Sequence, residues 1–210
     1  MSKYIIPSYQ DYTYNHYDKG SLEPNLYGGS SCDGYDKPPN ILPRTKRIIA
    51  IGDIHGDYEL LIKCLRLANV INDNLIWIGK DTVVIQVGDQ IDNCRDIDNC
   101  INHKNDKPED VKILVFMTEL HKQAFGSGGG VYSLIGNHEL MNIEGDMRYV
   151  SYQNILTFSK SNNFAEGYEN RKKYFARGSE MAKLLACLSA EFNRKQIYQV
   201  EKKLYFYSSI

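Results

Sequence analysis

The sequence lacks both an excess of one charge sign and any long apolar run. Its 25 lysines and arginines nearly balance 26 aspartates and glutamates, so the net charge gives no reason to expect a nucleic-acid or membrane-surface partner. No apolar stretch approaches the length of a membrane span, and the first residues are too polar for a signal peptide. We therefore expect a soluble, intracellular protein.

Paired cysteines are also missing. The five cysteines are scattered, odd in number and form no C-x-x-C pair, which argues against a disulfide framework and a zinc finger. Cys94 and Cys100 end two copies of the sequence Ile-Asp-Asn-Cys. This short duplication could offer thiolates and carboxylates to a metal, but a polar loop explains it without one. We predict the polar loop.

Periodicity is absent from residues 1–46, which are rich in Tyr, Gly, Ser, Pro and Asn. We predict an irregular N-terminal arm there, either docked on the rest of the protein or disordered. The chain has 210 residues, and residues 47–210 suffice for one domain with a sizeable core.

Apolar runs in this second part predict strands, and amphipathic spacing predicts helices. The expected elements are strands at 47–51, 75–78, 82–87 and 131–135, helices at 57–69 and 108–125, a loop at 139–150, a largely helical region to about 188, and strands at 196–200 and 204–207. The order β-α-β-β-α-β predicts a layered α/β fold with a mixed sheet flanked by helices. We interpret the basic run Arg171-Lys172-Lys173 as a solvated face.

Three polar segments follow the predicted strands: Gly-Asp-Ile-His-Gly at 52–56, Gly-Asp-Gln-Ile-Asp at 88–92 and Gly-Asn-His-Glu at 136–139. Ligands bind at the carboxyl edge of open α/β sheets, so these groups should lie close together. Any one segment alone would more often be a turn with a satisfied polar group. Three in series, each after an apolar run, indicate a site.

The donor types in these segments suit a pair of metal ions. Asp53 and His55 stand two apart at a strand end, so both side chains should point to one side and hold one cation. The two oxygens of Asp89 can bridge two cations, and Asn137 offers a carbonyl oxygen to the second. Two such ions can activate water and clamp a phosphoryl group, while His138 donates a proton to the leaving oxygen.

The segments resemble the metallophosphoesterase (calcineurin-like) superfamily, whose pattern is GD-x-HG, GD-x-x-D and GNH-E. The resemblance covers residues 47–150. Two details, Gly-Asn-His-Glu-Leu-Met-Asn at 136–142 and Gly-Asp-Met-Arg-Tyr-Val at 145–150, are similar to the Shewanella-like protein phosphatase branch, which includes giant-virus relatives. A giant virus would also fit the abundance of Ile, Asn, Lys and Tyr, and would place the protein in the host cytoplasm.

The resemblance implies a metallophosphoesterase fold that hydrolyses a phosphorylated protein or a small phosphoester. It implies that Asp53 and His55 hold the first metal, that Asp89 bridges, and that Asn137 holds the second. His138 would be the catalytic acid, and Asp92 would orient its imidazole and fix the tautomer. The metals would be Mn, Fe or Zn. Arg95 and Arg148 are the candidate residues for binding the substrate phosphate.

Departures from the family pattern leave other hypotheses open. Asn93 follows Asp92 where phosphoprotein phosphatases carry an arginine, no histidine follows His138, and Tyr207 stands where a ligand is expected. We therefore expect a domain that is incomplete at its C-terminus and holds two metals or only one. The alternatives are a truncated or degenerate, inactive protein that binds a metal or a phosphorylated ligand, and a phosphodiesterase or dinucleoside polyphosphate hydrolase.

Overall fold

The computed structural model describes residues 45–185, apart from 97, 98, 101, 103–105, 180 and 183. The arm predicted at 1–46, the strands predicted at 196–200 and 204–207, and Tyr207 therefore lie almost wholly outside the described residues. Within them, the elements are β1 (Ile48–Ile51), α1 (Tyr58–Leu67), β2 (Val83–Gln86), α2 (Asp110–Phe125), β3 (Gly130–Ser133), α3 (Asn137–Glu144), α4 (Tyr152–Leu156) and α5 (Phe164–Phe175).

The described strands form one parallel sheet in the order β1-β2-β3. Parallel neighbours need a crossover, and right-handed crossovers place both connecting helices, α1 and α2, on the same face. The register pairs Ile51 with Gln86 and Gln86 with Ser133. The three strands therefore end at the same level. Each is followed by one of the three polar segments, so all three segments lie at the carboxyl edge of the sheet.

The main hydrophobic core lies between this sheet and helices α1 and α2. Leu61 and Leu65 on α1 are fully buried and pack with Val84 of β2 and Ile113 of α2. Burying each such side chain stabilises the fold by roughly 1.5 to 3 kcal/mol. Helix α1 begins as predicted, because the carboxylate of Asp57 accepts a hydrogen bond from the Leu60 N–H at 2.8 Å. None of the described helices is both long and apolar enough to cross a bilayer.

The strand predicted at 75–78 is wrong. Among the described residues, this region contributes only a single antiparallel bridge between Ile71 and Trp77. The Asn72 side chain accepts hydrogen bonds from the N–H groups of Asn74 and Ile76, both at 3.0 Å, and Leu75 has a positive φ of 62°. These local turn interactions compete with strand formation, so the described sheet is parallel rather than mixed.

The loop predicted at 139–150 is also wrong in its first half, because α3 continues to Glu144. The helix ends at Gly145, whose φ of 83° is the left-handed conformation that glycine adopts readily. Helices α4 and α5 follow in the region predicted to be largely helical.

The prediction that the cysteines are unpaired is also wrong. Cys94 and Cys100 form a disulfide, with a Cα–Cα distance of 5.6 Å. The number and scatter of cysteines along the whole chain say nothing about two residues that one loop brings together. A turn in which the Asn99 N–H donates to the Asp96 carbonyl at 2.9 Å helps to close this loop.

Candidate metal centre

The first segment forms a turn after β1. Because β1 ends at Ile51, strand alternation does not bring Asp53 and His55 together, contrary to the reasoning from sequence. The turn does so instead: His55 has a φ of 48°, and its N–H donates to the Asp89 carbonyl at 3.0 Å. The Asp53 Oδ2 then lies 3.6 Å from the His55 Nε2. The Asp53 side chain is 59% exposed.

Three side chains from the three segments converge at this point. One ligand atom each from His55, Asp89 and His138 lies within 4.8 Å of the others. The two imidazole rings meet edge to face with centroids 4.7 Å apart. Imidazole nitrogen together with carboxylate oxygen suits a divalent transition metal, so the donor set fits the metal ions that the family uses. Asn137, the first residue of α3, is exposed beside the buried His138.

Electrostatics at the cluster favours binding of a cation. Partial burial raises the pKa of Asp89, although the His138 N–H donates to its Oδ1 at 2.9 Å and so favours the carboxylate. A cation bound beside Asp89 would compensate the cost of burying this charge.

Asp92 lies behind His138 and is fully buried. Its Oδ2 is 3.0 Å from the His138 Nδ1, which assigns the proton on that nitrogen to the hydrogen bond and leaves Nε2 for chemistry. Burial acts to lower the pKa of His138, but the hydrogen bond to Asp92 and the charges of Asp92 and Asp89 outweigh it, so the pKa is raised. The arrangement therefore favours the protonated form of His138.

Glycines allow the second and third segments to approach this closely. Gly88 has a φ of 103°, and a Cβ there would lie 2.5 Å from the backbone nitrogen of Gly136. A Cβ on Gly136 would collide with the carboxylate of Asp89. Any larger residue at either position would separate Asp89 from His138.

Glu139 has a structural role that the sequence reasoning missed. Its buried carboxylate accepts hydrogen bonds from the N–H groups of Asp89, Gln90 and Gly136 at 2.9, 2.7 and 2.8 Å. Burial raises the pKa of Glu139 to about 7, against these three bonds. The signal was present, because Glu139 stands three residues after the N-cap Gly136, the spacing of a capping box.

A second group of residues that the sequence reasoning missed surrounds Asp92. The Asn142 Nδ2 donates to both Asp92 oxygens at 2.9 Å. The Arg171 Nη2 is 3.4 Å from the Asp92 Oδ1 and 2.8 Å from the Asp110 Oδ2.

The solvated face predicted for the basic run is therefore wrong for Arg171, which is fully buried, although Lys172 and Lys173 are exposed. A signal existed here too. The buried residues of α5 are Gly167, Arg171, Tyr174 and Phe175, which is helical spacing for one inward face.

The two candidate phosphate-binding arginines differ in location. The Arg95 Nη2 lies 3.4 Å from the Asp92 carbonyl, and the Arg95 charge acts on both His138 and Asp53. Arg148 is 63% exposed and forms a surface ion pair with Asp146 at 2.7 Å. The structure brings Arg95 to the cluster and pairs Arg148 elsewhere.

The fold and the cluster together define an α/β protein with side chains that could hold a metal ion at the carboxyl edge of a parallel sheet. The model of the calcineurin-like phosphoesterase family matches residues 46–201, and the chain belongs to this family. The family and the α/β layered fold predicted from the sequence are thereby confirmed.

Several individual proteins are similar to parts of this chain. The chain is 37% identical over 115 residues to Shewanella-like protein phosphatase 2 of Arabidopsis thaliana, covering 55% of this chain and 26% of that protein. It is 42% identical over 77 residues to an uncharacterized protein of Acanthamoeba polyphaga mimivirus, covering 35% and 31%. The crystal structure of a cold-active protein-tyrosine phosphatase from a psychrophilic Shewanella species matches with a TM-score of 0.54 at 25% identity, covering 76% and 42%. The chain thus spans less than half the length of these proteins.

Proposed function

We propose that this protein is a metal-dependent phosphomonoester hydrolase of the protein-phosphatase type. The observation that carries the proposal is that the buried Asp92–His138 pair places His138 within ligand distance of His55 and Asp89, two of the candidate cation ligands. A proton donor next to a set of cation ligands is the combination that phosphoester hydrolysis needs. Family membership and the names of the matched phosphatases support the same reaction class.

Asp53 and His55 would hold one cation, Asp89 would be shared, and Asn137 would serve a second. Bound there, the metal pair would supply water activation and neutralisation of phosphate charge. The chain itself contributes the alignment. Glu139 fixes the backbone on both sides of Asp89 by accepting from the N–H groups of Asp89 and Gln90, and the exposed position of Asp53 leaves the site open to a substrate.

His138 would donate its proton from Nε2 to the leaving oxygen of the substrate. Asp92 holds the ring through Nδ1, so Nε2 keeps one orientation and the proton transfer needs no rotation of the ring. Arg95 would bind the phosphate, because it is the arginine that lies at the cluster. The substrate would be a phosphorylated protein, with small aromatic phosphomonoesters as surrogates.

The test is hydrolysis of p-nitrophenyl phosphate and of phosphotyrosine and phosphoserine peptides by the full chain with added manganese, together with metal content per chain. We expect two metals and turnover that is lost in Asp89→Asn and His138→Asn. The control variant is Lys173→Ala, an exposed change on α5. At most one metal and no turnover would contradict the proposal and favour a protein that binds a metal or a phosphorylated ligand.

A further inference from the structure

Arg171 is a cation buried beneath the candidate site, and the reaction proposed above does not use it. Its side chain is completely buried. The guanidinium lies over the Phe175 ring at 4.9 Å and near the Phe158 ring at 5.5 Å. Its second terminal nitrogen, Nη1, has no hydrogen-bond partner among the described residues. Burying a charge among apolar side chains is costly in free energy unless the charge is paired and hydrogen-bonded.

The neighbours of Arg171 include Asp92, the residue that holds the His138 imidazole. The Arg171 Nη2 lies between the Oδ1 of Asp92, at 3.4 Å, and the Oδ2 of Asp110, at 2.8 Å. The Arg171 Nε donates to the Asn142 Oδ1 at 3.0 Å. Asn142 in turn donates to both oxygens of Asp92. Arg171 therefore acts on the Asp92 carboxylate twice, once directly and once through Asn142.

This arrangement constrains the rotation of one carboxylate. The Asp92 Oδ2 must stay on the His138 Nδ1 for the imidazole to keep its orientation. Arg171 is placed near Oδ1, and Asn142 spans both oxygens, so a rotated Asp92 would break contacts on both sides. A planar guanidinium has its donors in a fixed fork, which a lysine lacks.

Stability alone is a weak reason for this buried charge. Well-packed apolar residues commonly replace buried ion pairs without loss of stability, and the two phenylalanines already provide apolar surroundings. We propose that Arg171 is a positioning residue: through Asp92 and Asn142 it keeps His138 in the orientation for proton donation. This inference rests on the proposed function for its kinetic consequence, but its structural consequence can be measured without turnover.

The main variant is Arg171→Met combined with Asp110→Asn. It removes both the guanidinium and its second carboxylate, and the buried Asp92 keeps His138 and Asn142 as its partners, so folding should be retained. Arg171→Lys keeps the charge without the fork, and Lys173→Met on the exposed face of α5 is the matched control. Circular dichroism and thermal unfolding establish that each variant is folded.

The first measurement is NMR of the full chain with 15N-labelled histidine. The sequence has five histidines, and His138→Gln identifies the signal. In the parent protein and in Lys173→Met we expect a slowly exchanging Nδ1–H for His138. In the double variant we expect exchange at least about tenfold faster, with an intermediate rate in Arg171→Lys. Unchanged exchange in the double variant would overturn the inference, whether or not the protein is an enzyme.

The second measurement uses two substrates that differ in their need for a proton. The leaving group of phenyl phosphate, phenolate, is poor and needs a proton. The leaving group of 2,4-dinitrophenyl phosphate, 2,4-dinitrophenolate, departs without protonation. For the double variant we expect kcat on phenyl phosphate to fall about 10-fold to 100-fold at unchanged KM. On the dinitrophenyl ester kcat should fall by less than about threefold. An equal fall on both substrates would indicate a purely structural role and would overturn the inference.

The same pair of substrates separates this inference from the proposed function. His138→Gln should show the largest dependence on the leaving group. If it does and the Arg171 variants do not, only the inference about Arg171 fails. If the parent protein hydrolyses neither ester, the proposed function fails, and the exchange of the His138 Nδ1–H decides the role of Arg171.

Discussion

The two sides of the candidate site are built differently. On the acid side, Asp92 and Arg171 are completely buried, and hydrogen bonds within the protein fix His138. On the proposed cation side, Asp53 is 59% exposed, and its Oδ2 lies 3.6 Å from the His55 Nε2. Folding alone therefore assembles the proposed proton donor, whereas the proposed cation ligands meet in turns at the edge of the sheet.

This difference has a physical cause. A cation must enter from water and lose part of its hydration shell, so its ligands need an open approach. A proton donor gains from burial, since a low dielectric strengthens its coupling to the partner carboxylate. Substitutions on the two sides should therefore give different signatures, with the acid side affecting kcat and the cation side affecting metal affinity.

The largest effect is expected for His138→Gln. Loss of the proton donor should lower kcat on phenyl phosphate by about 10² to 10⁴-fold, the usual contribution of general acid catalysis. Glutamine keeps a polar side chain next to Asp92, so the fold should be retained. The measurement is kcat at saturating manganese, with metal content determined in parallel. If the variant lost metal to the same extent as activity, His138 would also be needed for metal binding. That result would contradict the proposed separation of the acid side from the cation side.

The next effect concerns pH and belongs to the buried side. Burial raises the pKa of Asp110 from 3.8 to about 6, against the opposing charge of Arg171. Between these values Asp110 binds more protons in the folded state than in the unfolded state, so its ionisation lowers the free energy of unfolding as pH rises from about 4 to about 6. This contribution is at most on the order of 3 kcal/mol.

Urea unfolding across this pH range measures the slope. Asp110→Asn should make it shallower, although Glu139, whose pKa is also raised, to about 7, keeps part of it. Asp73→Asn, a change at a fully exposed residue, should leave the slope as in the parent protein. An unchanged slope in Asp110→Asn would mean that its carboxyl is ionised throughout the range.

Sequence reasoning succeeded where the signals are local. The strand and helix that flank Asp53 follow from a short apolar run and the N-cap Asp57, and the three polar segments lie at strand ends that meet in register. It failed where long-range contacts decide. Arg171 pairs with an aspartate 79 positions earlier in the chain, and no local pattern distinguishes it from the exposed lysines beside it except helical spacing. At 75–78, side-chain hydrogen bonds from Asn72 replaced the expected strand pairing.

The third prediction tests the cation side directly. Asp53→Asn keeps the shape of the side chain but removes its charge, so cation affinity should fall while the buried acid pair stays intact. We expect the manganese concentration for half-maximal activity to rise about 10-fold to 100-fold, with most of kcat recovered at saturation. A titration of activity against manganese measures this shift. If saturating manganese did not restore kcat, Asp53 would act on the acid side as well.

The smallest effect on catalysis is expected from changes in the loop that contains Arg95. Replacing both Cys94 and Cys100 with serine opens the disulfide, and a loop this short contributes at most about 2 kcal/mol to the free energy of unfolding. Because the Cys94 N–H still donates to the Tyr149 carbonyl at 3.1 Å, the loop keeps one attachment near the site. We expect KM to rise a few-fold at unchanged kcat, as Arg95 becomes less well placed to bind phosphate. Arg95→Lys provides the comparison: if it raises KM and the serine variant does not, the backbone attachment at Cys94 alone is enough to position the arginine.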